Sequence, residues 1–151
     1  MRKKLRRMAL LAGLAFVLAV PVAMAANADV SAFKRAVCQV ESGCDDAKVG
    51  LRGERGRYQF MEATWKQYTT LPHVAAHVRA NSEMVMDKHC RWMALALKKL
   101  GRETTVRNMA LLHNAGYGNM ERATVPAASY GYADRVAAIY GALMASGPAG
   151  K

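Results

Sequence analysis

Acidic charge is scarce in this chain: 11 Asp and Glu stand against 22 Lys and Arg over 151 residues, a formal net charge of +11. No Cys-x-x-Cys pair occurs, and the four histidines lack zinc-type spacing. His73 and His77 lie at i, i+4, but with no Glu between them and no third ligand they read as a surface pair rather than a metal site. No internal repeat or linker is visible, so a solenoid or a second domain is excluded, and the length suits one domain with a real core. Beyond the N-terminus no apolar stretch is long enough to span a bilayer, which takes about 20 residues. At 22% charged and 52% apolar, the composition excludes a disordered or collagen-like chain.

The N-terminus differs in kind from the rest. Arg2, Lys3, Lys4, Arg6 and Arg7 precede an apolar run over 8–20, which Pro21 breaks. Small-x-small sites follow at Ala23-Met24-Ala25 and Ala26-Asn27-Ala28. This pattern reads as a secretory signal peptide over 1–28; the apolar run is short for a membrane anchor. Cleavage after Ala28 removes five basic residues and no acidic ones, lowering the charge from +11 to +6. A basic exported domain suits polyanions: cell-wall polymers, lipopolysaccharide, anionic membrane or nucleic acid. Charge alone does not choose among them.

The remainder, 29–145, predicts one mainly α domain, with a frayed Gly/Pro tail over 146–151. Phe33, Val37 and Val40 mark a helix over 29–42 with Asp29 as N-cap. Residues 43–56 carry four glycines and read as a polar loop or small hairpin. A short helix over 62–68 puts Trp65 and Tyr68 on one side. Met86, Cys90, Met93 and Leu97 form the stripe of a helix over 82–100, stopped by Gly101. A helix over 104–113 runs into turn chemistry at 114–118. The last helix, 132–144, presents Val136, Ile139, Tyr140 and Leu143. Trp65 and Trp92 are candidates for stacking on a ligand, with the core favoured for each, and Met86 and Met93 are expected in the core.

Three cysteines leave one thiol over, and export favours a disulfide. Cys44 extends the stripe of Phe33, Val37 and Val40, while Cys90 lies on that of Met86, Met93 and Leu97. Two core-facing stripes should meet, so Cys44 is expected to pair with Cys90, leaving Cys38 free. If the first helix continues, Cys38 and Cys44 are about 9 Å apart along its axis, beyond disulfide reach.

Glu41 sits in the last turn of an apolar helix, facing the negative end of the helix dipole, which should raise its pKa. A carboxyl that stays protonated near neutral pH can act as a general acid. Local physics alone leaves it an ordinary surface glutamate; its neighbours decide otherwise. Val40-Glu41-Ser42-Gly43 is followed by the run from Gly53 through Gly56 and Gln59 to Met61, then Ala63-Thr64-Trp65. Further on come His113-Asn114-Ala115-Gly116 and Tyr132-Ala133-Asp134-Arg135-Val136. This order resembles the catalytic domain of soluble lytic transglycosylases, of the lysozyme-like superfamily, over about 37–139.

The resemblance implies a lysozyme-like helical fold with a glycine-rich loop after the catalytic helix. It implies Glu41 as catalytic acid and base and Tyr132 as the hydroxyl approaching it. Ser42, Gln59, Met61, His113, Asn114, Ala115 and Gly116 then fall in the substrate groove, with no metal or organic cofactor. The implied reaction cuts the β-1,4 bond between N-acetylmuramic acid and N-acetylglucosamine of peptidoglycan and closes a 1,6-anhydro ring. Nucleic acid is not an expected partner; the setting is the periplasm or cell envelope. Small enzymes of this kind serve secretion or conjugation assemblies, and the resemblance allows such a partner.

Three positions differ from the pattern: His113 for a tyrosine, Glu62 for a proline, and Gly50 for a serine that polarises the substrate's N-acetyl group. A hydrolytic muramidase would need a second carboxylate, for which Asp45, Asp46 and Glu54 are the loop candidates. A non-catalytic wall-binding subunit of an envelope machine is the reading from another class. Lys48, Arg52, Arg55 and Arg57 form either a site for anionic wall peptides or a solvated basic loop.

Overall fold

A computed structural model describes residues 29–146; the expected signal peptide and the tail beyond 146 lie outside the described residues. Helix α1 spans Val30–Ser42 and begins as expected, with the Asp29 carboxylate accepting from the Ala32 amide at 3.3 Å. Its inward face buries Phe33, Ala36, Val37 and Cys38. Short α2 is Glu62–Trp65, and a single 3-10 segment, His73–His77, leads into α3, Arg79–Lys99. Helix α4 is Val106–Ala115, capped by the Thr105 hydroxyl on the Asn108 amide at 3.1 Å. Gly116, at φ 78°, separates it from α5, Tyr117–Glu121, and α6 runs Ala127–Ala145.

The architecture is therefore mainly α. Helix α4 packs between α3 and α6, and α1 lies along α6. Trp65, Phe33, Met86, Met93, Leu97 and Leu112 are fully buried where these helices meet. That places Trp65 and the methionine stripe in the core, as their spacing predicts. Trp92 is only partly buried. Helix α6 starts five residues before its predicted start, directly after Pro126, because Ala127 to Gly131 carries no apolar stripe to announce it. No helix among the described residues is long and apolar enough to cross a membrane.

The cysteines pair otherwise than expected. Cys38 is bonded to Cys44, with their Cα atoms 4.6 Å apart, and Cys90 is the buried free thiol. The helix does not continue to Cys44. Gly43 turns left-handed at φ 71° and Cys44 follows at φ 64°. The Gly43 and Cys44 amides fold back onto the carbonyls of Gln39 and Cys38. That reversal removes the axial separation on which the Cys44–Cys90 pairing depended. The resulting staple encloses Glu41.

The 43–60 segment is a loop braced by two isolated antiparallel bridges, Val49 to Arg55 and Arg55 to Phe60. The expected basic cluster is dispersed. Arg57 is buried, bonding Glu83 of α3 at 2.6 Å and pairing with Asp46 at 2.9 Å without hydrogen-bond alignment. Arg52 is tied to Glu54, and Arg55 contacts His77. Burial pushes the Glu83 carboxyl up, but hydrogen bonds from Lys34, Tyr58 and Arg57 outweigh it and hold the group below its ordinary range.

Gly56 is where the loop presses closest on the rest. It takes φ 71°, and a side chain there would strike the Ala76 backbone. Gly53 has φ 86° but open space around it. Gly56→Ala should therefore cost about 3 kcal/mol of stability against about 1 kcal/mol for Gly53→Ala. Urea unfolding of the two variants checks the difference; equal losses would mean that the Ala76 contact is not tight.

Candidate active site

Glu41 is held in the last turn of α1 by the staple around it, with its side chain 18% exposed. The Tyr132 hydroxyl, on α6, donates to Glu41 Oε1 at 2.7 Å. His113 Nε2, on α4, lies 3.3 Å from the same oxygen. The two groups stand at salt-bridge distance without a hydrogen bond between them. Among the described residues Oε2 takes no hydrogen bond. Burial, then the charge of Glu41 beside it, pushes the Tyr132 hydroxyl far up, so it remains a donor at any physiological pH.

The carboxyl opens onto a cleft of ≈ 610 Å³. One wall is the loop, with Gly50, Glu54 and Gln59 and then Met61; the other is the end of α4, with His113, Asn114 and Gly116. The chain matches no family model, and no curated protein or solved structure matches it. The reading of the cleft therefore rests on its geometry and on the residues themselves.

Of the residues expected in the groove, Glu41, Gln59, Met61, His113, Asn114 and Gly116 line it. Ser42 and Ala115 do not. The Ser42 hydroxyl donates to the Arg57 carbonyl at 2.8 Å and accepts from the Asp45 amide, so it closes the loop onto α1. Ala115 presents its carbonyl to the Asn119 side chain. Gln59 plays two parts. Its backbone is left-handed at φ 48°, and its amide nitrogen donates to the Gly56 and Lys48 carbonyls, which leaves its Oε1 as the free polar atom. Glycine at position 50 also has a visible reason: a side chain there would collide with the Glu54 carboxylate and Gln59 Oε1.

Sequence reasoning missed His89 and Tyr117, which line the cleft, and favoured the core for Trp92, which lines it as well. The available signal was a histidine on the core stripe of α3, three residues after Met86. His89 is 5% exposed, with Nε2 at 3.1 Å from His113 Nδ1 and Nδ1 at 2.8 Å from the Tyr68 hydroxyl. Burial, with a smaller push from His113, lowers its pKa to about 2, so the ring is neutral. His73 and His77, read as a surface pair, are partly buried and hydrogen-bond the carbonyls of Phe60 and Asp46. Among the described residues no group of three or more His, Cys, Asp or Glu could hold a metal ion.

The depressed pKa of His89 has a sign in stability. The unfolded chain protonates this ring below its ordinary 6.5 and the folded one does not. The stabilisation is therefore complete above that value and is lost as pH falls beneath it. Glu83, lowered from 4.5, adds its own loss only at more acid pH. Between pH 7.5 and 5.5 the His89 contribution should shrink by about 1.3 kcal/mol. His89→Gln should flatten the urea-measured pH dependence by that amount. Parallel curves for the two proteins would mean that His89 is not buried and neutral.

Proposed function

We propose that the protein is an exported, lysozyme-like lytic transglycosylase that cleaves peptidoglycan. The observation that carries this reading is the 2.7 Å bond from Tyr132 to Glu41, whose side chain lines a cleft of ≈ 610 Å³. A single carboxyl with one oxygen bound and the other unpartnered among the described residues is the arrangement a general acid needs. The apolar faces of Met61 and Tyr117, with polar groups from Gln59 and Asn114, suit the alternating faces of N-acetyl sugars. The disulfide fits an oxidising compartment. Opening the wall for an envelope-spanning assembly is the setting proposed for it.

In the proposed reaction the Glu41 proton passes from Oε2 to the glycosidic oxygen as the bond to the muramyl C1 breaks. The carboxylate then takes the proton of the muramyl 6-hydroxyl, whose oxygen bonds C1 and closes the 1,6-anhydro ring. Glu41 ends protonated, and no water is consumed.

Hydrolysis is the second reading, and Glu54 favours it. Its carboxylate occupies the space that a side chain at position 50 would need, on the wall of the same cleft. Its own backbone amide lowers its pKa most, against a smaller desolvation effect, with help from Arg52. An ionised partner to a protonated Glu41 is what water activation requires. Yet the Arg52 amide and guanidinium already engage both its oxygens, at 2.9 Å each. Asp45 caps the Ala47 amide, and Asp46 is spent on Arg57 and Arg79.

Digestion of purified sacculi tests both readings. Glu41→Gln should lose at least about 100-fold of muropeptide release while folding normally. The products should be 1,6-anhydromuramyl ends, one water lighter than hydrolytic ones by mass spectrometry. Asp45→Asn, Asp46→Asn and Glu54→Gln should each keep most activity. Reducing-end products together with inactivation by Glu54→Gln would make the enzyme a muramidase, and Glu41→Gln at near wild-type turnover would remove the acid role altogether.

A further inference from the structure

Four side chains from different parts of the chain form one line, three of them on the cleft wall and Tyr68 behind them. Tyr68 lies three residues beyond α2, His89 on α3, His113 on α4 and Glu41 on α1. The links are 2.8 Å from Tyr68 Oη to His89 Nδ1, 3.1 Å from His89 Nε2 to His113 Nδ1, and 3.3 Å from His113 Nε2 to Glu41 Oε1. His89 has both ring nitrogens hydrogen-bonded, while His113 bonds through Nδ1 and sets its Nε2 beside Glu41 at salt-bridge distance without a hydrogen bond. The rings are also walled in. His89 stacks on Trp92 at 5.4 Å, and Phe60 stands edge-on to both His89 and His113.

With a proton on Glu41 and one on each ring, such a line admits two proton orders. In the first, Tyr68 donates to His89 Nδ1, His89 Nε2–H donates to His113 Nδ1, and the His113 Nε2–H faces Glu41 Oε1 at 3.3 Å. In the second every proton is reversed: an Oε1–H faces the bare His113 Nε2, His113 Nδ1–H donates to His89 Nε2, and His89 Nδ1–H donates to the Tyr68 oxygen. Only the first order leaves the acidic proton of a protonated Glu41 on Oε2. The second fixes it on the oxygen already occupied by Tyr132.

Resting on the lytic transglycosylase reading, we propose that Tyr68, acting through His89 and His113, is a positioning residue that sets which oxygen of Glu41 carries the catalytic proton. Both ends of the line select the first order. A phenol is a better donor than acceptor, because its lone pairs are drawn into the ring, so Tyr68 favours donation to His89. Burial raises the Tyr68 hydroxyl to about 12, which keeps its proton in place. At the other end, Tyr132 already donates to Oε1 at 2.7 Å and disfavours a proton there. A charged His89 would donate from both nitrogens and break the line, but its burial keeps it neutral. His113, read above as a substitute for a groove tyrosine, thereby gains a role in the acid itself.

Nitrogen-15 NMR of histidine-labelled protein, without substrate, reads the tautomers directly. Both His89 and His113 should carry their proton on Nε2 with Nδ1 bare, and Tyr68→Phe should admit the other tautomer at His89. A proton on Nδ1 of either ring in the wild type overturns the proposal. With soluble glycan strands, Tyr68→Phe should lower kcat roughly five- to tenfold, the worth of one hydrogen bond, and leave KM within about twofold. His113→Gln, which keeps a donor and an acceptor, should retain more kcat than His113→Leu. A wild-type kcat in Tyr68→Phe, or a loss confined to KM, also overturns the proposal. If the wild type cleaves no wall polymer, the functional reading fails, while the tautomer spectrum still decides the order of protons.

Discussion

A single guanidinium holds the candidate site together. The loop from 43 to 60 forms one wall of the cleft, yet among the described residues it has no strand pairing beyond two isolated bridges. Arg57 supplies what a sheet would otherwise supply. It bonds Glu83 on α3, pairs with Asp46 within the loop, and offers its carbonyl to Ser42 at the end of α1. Glu83 in turn collects Tyr58 at 2.7 Å and Lys34 at 2.8 Å, so α1, α3 and the loop share one partly buried charge cluster. Such a cluster is a positional device more than a source of stability, since desolvation offsets much of its attraction. Its consequence is that Gln59 and Met61 face Glu41 across a defined gap.

The helices were legible because apolar periodicity survives in the sequence. Phe33 with Val37, and Met86 with Cys90, Met93 and Leu97, all turn inward as their spacing requires. Capping was legible as well, in Asp29 and Gly101. What failed was anything set by chain reversal or by small residues. The left-handed pair Gly43 and Cys44 converts a six-residue separation into a disulfide, and extrapolating a helix through it misassigned all three cysteines. The start of α6 is written in alanine, serine and glycine, which pack by absence of bulk and leave no stripe.

At the site, the order of Glu41, Gln59, Asn114 and Tyr132 along the chain was readable, and the fold brings Glu41 and Tyr132, 91 positions apart, into contact. The roles of individual groups were less so. Ser42 and the Gln59 amide nitrogen are consumed by the loop, because a segment rich in glycine must find donors and acceptors somewhere. His89 was hidden by its own burial: on a core stripe it looks like packing, and only the three-dimensional contact with His113 reveals it as part of the surroundings of Glu41.

The chemistry proposed for the cleft comes down to an asymmetry between two oxygens of one carboxyl. Oε1 is engaged by Tyr132 and approached by His113, and Oε2 is not. A crystal structure of Glu41→Gln with a bound muramyl-containing tetrasaccharide tests this most directly. The account predicts the scissile glycosidic oxygen at about 3 Å from the side-chain atom replacing Oε2, with Tyr132 still bound to the other. A glycan seated away from position 41, or with its scissile oxygen on the Tyr132 side, would contradict it.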